Sequence, residues 1–324
     1  MTRYLPNSAM NEQRMATSSP FSPAFRRWLM LCASAFFLVL VSIAHAQNFE
    51  ADNLLNFARS LFREGDYAEA VHEFKRYQFL YPNAPQNDFA QMHIAAAHQN
   101  MGQFDSAIAA YRSLIADYPD SPFVERSKSN IAQCQLLQGD RPKAISSLEK
   151  FVNDYPDSEL APRAQFLIGT VYMDERKWTE AAQAWRRVQI RYAQTPFGEL
   201  SDQLTRMVAR VDSLPHRSPT LGGFMSAVVP GLGQAYSGRV SDALYTFWVV
   251  GLTAGGTAYY IDKERYAVAI PVGIVSLFFY LGNIYGGVQA AKGFNARETA
   301  RFLDELRTTI QASELFGARW SIRF

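Results

Sequence analysis

Gly65–Pro82 reads GDYAEAVHEFKRYQFLYP, and the same pattern returns three times, in Gly102–Pro119 (GQFDSAIAAYRSLIADYP), Gly139–Pro156 (GDRPKAISSLEKFVNDYP) and Arg176–Ala193 (RKWTEAAQAWRRVQIRYA). Each copy starts 37 residues after the one before it. Ala70, Ala107, Ala144 and Ala181 share one column, and Tyr81, Tyr118, Tyr155 and Tyr192 another. Self-similarity at a fixed period of this size marks an array in which each unit buries its apolar face against the next.

Within one period the spacing predicts two helices joined by a short turn. Counting Ala51 as position 1, small residues stand at position 8 (Ala58, Ala95, Ala132, Gly169) and at position 20 (the alanine column). A large apolar residue stands at position 24 (Phe74, Tyr111, Leu148, Trp185), and a proline at position 32 in three copies (Pro82, Pro119, Pro156). This pattern resembles the tetratricopeptide repeat. The 37-residue period, longer than that family's 34, resembles envelope proteins of the BamD and Tol–Pal coordinator type. The surplus is expected in the YPNAP, YPDSP and YPDSE loops, with Ser121 capping the next helix and Pro122 at its first position. The resemblance covers residues 50–213. It implies an all-α helical-hairpin solenoid whose inner face holds a segment of a protein partner. Carried over position by position, that face consists of Arg59 and Phe62 in the first copy and Phe89, Met92 and Gln99 in the second. Arg126 and Gln133 supply it in the third copy, and Arg163, Phe166 and Met173 in the fourth. Arginine, aromatic and methionine side chains suit recognition, although Phe62, Phe89 and Phe166 could equally pack between hairpins.

Upstream of the array, Arg26-Arg27 precede the apolar run from Trp28 to Ala44, and Ala44-His45-Ala46 offers a small-x-small site. Residues 1–46 are expected to be a secretory signal, or alternatively an uncleaved anchor helix. Either places residues 47–213 outside the cytoplasm of a bacterial cell. Cys32 lacks the preceding small residue of a lipidation site. With Cys134 it makes two cysteines in all, too few for a disulfide framework or a cysteine zinc site. Cys134 fits a small buried core residue.

After the array the composition changes. Residues 214–220 form a proline-bearing linker, and residues 221–290 read as a two-span membrane domain. Ala243–Ile261 and Tyr266–Tyr285 are apolar runs joined by the charged turn Asp262-Lys263-Glu264-Arg265. Gly251 with Gly255, and Gly282 with Gly286, have small-x-x-x-small spacing. Gly255 is expected to face the neighbourhood of Val272 and Gly273, and Gly282 and Gly286 to face the start of the first span and receive the Leu221–Gly238 segment. Asn283 is the strongly polar side chain inside the spans and is expected to bond another helix. The preceding stretch, with Pro230, Gly231, Gly233, Gln234, Tyr236, Gly238 and Arg239, resembles the glycine–aromatic–glycine–basic signature of small two-span bacterial membrane domains. It is read as a tight turn at the membrane interface. Residues 291–324 are expected to form a separate amphipathic helix and tail, begun by Asn295 with Glu298 and carrying Phe302, Leu303, Leu306 and Ile310 on one face. The arginine distribution around the hairpin opposes the orientation that export implies.

No catalytic, cofactor or metal constellation emerges. The histidines are scattered, and H-E-x-x-H, G-x-S-x-G and Cys-x-x-Cys are absent. A net charge of +2 spread along the chain argues against nucleic acid. The expectation is a non-enzymatic envelope scaffold: a periplasmic array, anchored in the inner membrane, that binds envelope protein partners. An oligomer through the hairpin is compatible with this. The alternative is a subunit of a membrane transport or insertion complex whose repeats form a docking arm.

Overall fold

The computed structural model describes Cys32 and residues 49–313. Among the described residues every regular element is helical. The chain divides into two compact units, one ending at Met101 and the other starting at Gly102.

In the first unit, α1 (residues 49–64), α2 (Tyr67–Leu80) and α3 (Asn87–Asn100) pack around Leu55, Ala58, Ala70, Phe74, Tyr77 and Ala95, all nearly inaccessible. The alanines at positions 8 and 20 let α1 and α2 approach closely, and Phe74 fills the space beside them. In the second unit, the hairpins continue as α4 (Phe104–Asp117), α5 (Val124–Leu137), α6 (Arg141–Asp154), α7 (Ala161–Asp174) and α8 (Trp178–Arg191). A terminal helix α9 (Pro196–Val208) closes the array. Thr195 caps α9 by accepting from the Gly198 N–H, and Pro196 occupies the first helical position.

The column residues act through the backbone. Tyr81, Tyr118, Tyr155 and Tyr192 each end the second helix of a hairpin, with the N–H returning to the carbonyl four residues earlier. The fourth copy stops there although Ala193 replaces the proline, so the tyrosine cap suffices without it. The opening residue of each copy takes a left-handed conformation: Gly65, Gly102 and Gly139 at φ 96°, 74° and 81°, and Arg176 at 58°. The residue after it donates back across the turn, as in Asp66 to the Leu61 carbonyl (3.0 Å) and Lys177 to the Tyr172 carbonyl (2.9 Å). Arg176 is exposed and holds this geometry with a Cβ. Arg176→Gly is therefore expected to stabilise the fourth repeat by about 0.5–1 kcal/mol, once the freedom of glycine in the unfolded chain is offset. A urea titration followed by circular dichroism checks it.

Two loop expectations need correction. Helix α5 begins at Val124, not Pro122, and Ser121 accepts from the Phe123 N–H (3.2 Å), so it organises the turn ahead of the helix. Asn295 does not start a helix. Its side chain brackets Arg217, accepting from the Arg217 N–H (2.8 Å) and donating to the Arg217 carbonyl (2.9 Å).

Beyond the array, Ser218 caps α10 (Pro219–Val228). After it come the short α11 (Leu232–Tyr236), then α12 (Val240–Asp262) and α13 (Tyr266–Ala312), antiparallel across the charged turn. The expected second span and the expected C-terminal amphipathic helix are one continuous helix of 47 residues, about 70 Å long at 1.5 Å per residue. Among the described residues, α13 is the one helix long and apolar enough to cross a membrane. Helix α12 falls short because threonines, glycines and tyrosines dilute its apolar residues.

Candidate functional site

The face carried by the first helices of the hairpins is the expected partner surface, and it divides by helix phase. In the first unit, Arg59, Phe62 and Phe89 gather around a residue that the sequence did not single out, His93. The Arg59 guanidinium lies 4.7 Å from the Phe89 ring centre. The His93 ring is 4.0 Å from Phe89 and 5.2 Å from Phe62. Its Nδ1 lies 2.9 Å from the Phe89 carbonyl. Burial holds the imidazole below its usual pKa range, and the nearby Arg59 charge adds to this. Gln99 is half-buried farther along α3.

In the second unit, Arg126, Gln133 and Arg163 line one recess of 180 Å³ between α5 and α7, with Ser129 and Asn130. No lining residue is acidic. Arg163 is half-buried, and burial pushes its pKa down to about 10, so it stays protonated near neutrality. Ser129 and Asn130 stand three and four residues after Arg126, one helical turn on, which is the signal that would have found them.

Met92, Phe166 and Met173 are corrections to the expected face. All three are buried, Phe166 and Met173 completely. Phe166 packs 5.5 Å from the Phe197 ring of α9 and 6.2 Å from Trp185. These side chains belong to the core and cannot meet a partner. Cys134 is also buried, as expected, and burial raises its thiol pKa to about 12.

The distal half of α13 docks on the end of the array. Phe302, Leu303, Leu306 and Ile310 join Trp185, Leu204 and Met207 in one apolar cluster. Trp178 meets Phe302 edge to face at 5.6 Å. Arg307 donates to Asp174 at 3.1 Å. Burial raises the Asp174 carboxyl above its usual range, an effect that the facing guanidinium opposes without overcoming. The last repeat and the distal half of α13 are thus parts of one packed body.

Where α10 and α11 meet α13, a dry polar knot forms. The Asn283 amide oxygen accepts from the Gly231 N–H (2.9 Å), and its nitrogen donates to the Ser226 carbonyl (2.7 Å). Gln234 donates to the Asn283 carbonyl (3.2 Å) and accepts from the Ser226 hydroxyl (2.9 Å), which in turn accepts from the Gly233 N–H (3.1 Å). A Cβ on Gly233 would lie on the Gly222 carbonyl, and one on Gly287 would strike Gly222 and Ser226. Asn283 therefore bonds a neighbouring helical segment, and Gly286 lies against Gln234. Gly273 faces Thr257 rather than Gly255. Gly251, Gly255 and Gly282 open onto empty space, so they do not bring the helices of this chain together. The close approach is made by Gly222, Gly223 and Gly287. Within the interface motif, Gly231 and Gly238 take left-handed turns, at φ 88° and 77°. Tyr236 packs on the Arg217 guanidinium at 4.8 Å, Pro230 leads into the Gly231 turn, and Arg239 pairs with Asp242.

Paired helices of 37-residue period, closed by small residues and ended by tyrosine caps, define a tetratricopeptide-like repeat protein, a fold that holds protein partners. The family model described as YfiO, outer membrane lipoprotein, matches residues 48–171 and again 94–206, so the repeats are similar to that family and the match stops short of α10. No curated protein matches the chain. Among solved structures, a tetratricopeptide repeat protein from Parabacteroides merdae is 13% identical, covering 80% of this chain and 93% of its own, with a TM-score of 0.41. Aspartyl phosphate phosphatase F from Bacillus subtilis is 14% identical, covering 81% and 60%, with a TM-score of 0.42.

Proposed function

We propose that this protein is a non-enzymatic scaffold of the bacterial envelope. Its repeats capture an acidic segment of a partner protein, and its C-terminal hairpin fixes the array to the inner membrane from the periplasmic side. The observation that carries the reading is the joint placement of Arg126, Gln133 and Arg163 in one recess with no acid in its lining. Two guanidiniums and two amides around a small hollow favour a carboxylate.

The membrane half of the reading rests on the exposed apolar band of the hairpin. Trp248 and Leu252 of α12 and Ile274 and Phe278 of α13 are more than half exposed, far more apolar surface than a soluble chain leaves open. Helix α12 accompanies α13 across the bilayer. Its Thr246, Thr253 and Thr257 hydroxyls each donate to a carbonyl four residues back, which hides their polarity inside the helix. The array and the docked end of α13 lie on the same side, as two spans require. Tethering raises the partner's effective concentration at the membrane, so a weak contact suffices.

A photo-crosslinking residue at Gln133 tests the partner surface in the native envelope. A discrete adduct is expected, reduced about a hundredfold or more by Arg126→Glu with Arg163→Glu, because charge-assisted contacts of this kind are each worth roughly 1.5–3 kcal/mol and two are lost. An adduct unchanged by the double substitution would refute the recess as the binding surface. Reporters fused after His216 decide the side of the membrane, and a cytoplasmic signal there would overturn the periplasmic assignment.

A further inference from the structure

On the flank of the hairpin, α12 and α13 leave an open cleft of 330 Å³. Its mouth carries Arg239 and Asp242, which form an ion pair and remain about half exposed, at 50% and 43%. Farther along the hairpin its walls are Thr246, Val249, Phe278 and Phe279, and Gly282 lies in its floor. The Thr246 hydroxyl is spent on the Asp242 carbonyl (2.7 Å), so that wall presents a methyl group. The Gln234 amide behind the mouth is likewise occupied by Ser226 and Asn283. The cleft is therefore graded: a balanced pair of charges at one end and apolar surface with a side-chain-free floor at the other.

We propose that this cleft binds one zwitterionic glycerophospholipid of the membrane in which the hairpin sits. The proposal rests on the membrane reading above. The headgroup phosphate meets Arg239 and its ammonium meets Asp242, while the start of one acyl chain lies over Gly282 between Val249 and Phe278. Charge selects the lipid. With Asp242 beside Arg239 the mouth is locally neutral, so an anionic headgroup gains no net attraction, whereas a headgroup with both signs satisfies both side chains. Charge also argues against a helix of a second copy. Such a helix would strip water from the ion pair while bringing no charged group of its own, and the desolvation cost of a pair can exceed its attraction. A lipid brings its own charges and leaves the mouth in the hydrated headgroup layer.

The test is native mass spectrometry of the full chain, purified in detergent and supplied with phosphatidylethanolamine or phosphatidylglycerol. One phosphatidylethanolamine per chain is expected to persist, with phosphatidylglycerol about tenfold weaker, the cost of one unmatched charged contact. Gly282→Leu adds bulk to the cleft at a position where an added Cβ meets nothing within 4 Å, and is expected to abolish the adduct. Arg239→Ala and Asp242→Ala should each weaken it about tenfold. Equal retention of both lipids, an adduct that survives Gly282→Leu, or a dimer that Gly282→Leu dissociates in place of a lipid adduct would each overturn the assignment. A carbonate wash separates the membrane reading from the cleft. A chain that stays in the membrane fraction yet holds no lipid overturns the cleft alone. A chain that washes off overturns the membrane reading and the cleft with it.

Discussion

Gly169→Ala is expected to destabilise the second unit by about 2 kcal/mol, against the usual gain from replacing a helical glycine. Intrinsic helix preference favours alanine by about 1 kcal/mol. Here the new Cβ would sit 2.3 Å from Trp185 Nε1 and 2.4 Å from its Cδ1. The indole cannot swing aside, because Trp185 is completely buried and anchors the cluster that also receives α13. The other copies show what the two columns tolerate together. Ala58 sits with Phe74 and Ala132 with Leu148, all essentially inaccessible. Only the tryptophan is paired with glycine. Gly169→Ala combined with Trp185→Phe restores the pairing of the first repeat and is expected to recover most of the loss. The buried indole N–H also has no hydrogen-bond partner, so phenylalanine leaves no polar group stranded. Trp185→Phe alone opens space beneath the ring and costs stability too. The coupling between the two changes should then be about 1–2 kcal/mol and favourable. Thermal unfolding followed by circular dichroism measures all four forms. A Gly169→Ala protein more stable than the parent would contradict the packing argument.

That pairing is legible in the amino-acid sequence, since both columns stand out when the four copies are set in register, and so is the hairpin architecture. Small residues 12 apart and a capping tyrosine are local signals, repeated four times. Contacts between distant segments are much less legible. The change from apolar to polar composition near Lys292 suggests a break, yet composition decides what surrounds a helix, not whether its backbone continues. No proline interrupts α13 there. Asn295, which resembles a helix cap in sequence, serves a linker residue 78 positions away.

Part of the expected partner face is buried for a related reason. Positions 5 and 12 of a hairpin lie seven residues apart and so on one helix face, while positions 2 and 9 lie on the adjoining face. In the fourth repeat, α9 and α13 cover the first of these faces, which buries Phe166 and Met173. Position 2 keeps Arg126 and Arg163 at the recess, and position 9 keeps Gln133 there. A single repeat does not reveal what a later helix will cover. The hairpin glycines mislead similarly. Gly251, Gly255 and Gly282 carry the familiar spacing but meet nothing, whereas Gly286 receives Gln234 of α11 as expected, and the α10–α13 contact is signalled by the doublet Gly222-Gly223 and by Gly287.

Asn283→Ala is expected to loosen the hairpin by about 3 kcal/mol, because the side chain satisfies two backbone groups that no water reaches. Its amide holds the Gly231 N–H and the Ser226 carbonyl, and Asn283 is 3% exposed. Removing it strands one donor and one acceptor in an apolar setting, each at a cost of roughly 1–3 kcal/mol. Neighbouring groups cannot substitute. Gln234 is committed to Ser226 and to the Asn283 backbone, and the glycines at 222, 233 and 287 already bring the backbones as close as they can come. Tyr280→Phe is the matched comparison. It removes one hydroxyl bond, to the Ala227 carbonyl at 2.8 Å, from a half-buried position, and should cost about 1 kcal/mol. Limited proteolysis within residues 214–240 of the detergent-solubilised protein, followed over a thermal ramp, ranks the two variants. Cleavage should set in at the lowest temperature for Asn283→Ala, and circular dichroism of the repeats should retain its own transition, since the apolar cluster that seats α13 on the array does not include the knot. Equal behaviour of the two variants would mean that glycine packing, not the asparagine, holds the hairpin's entry segment in place.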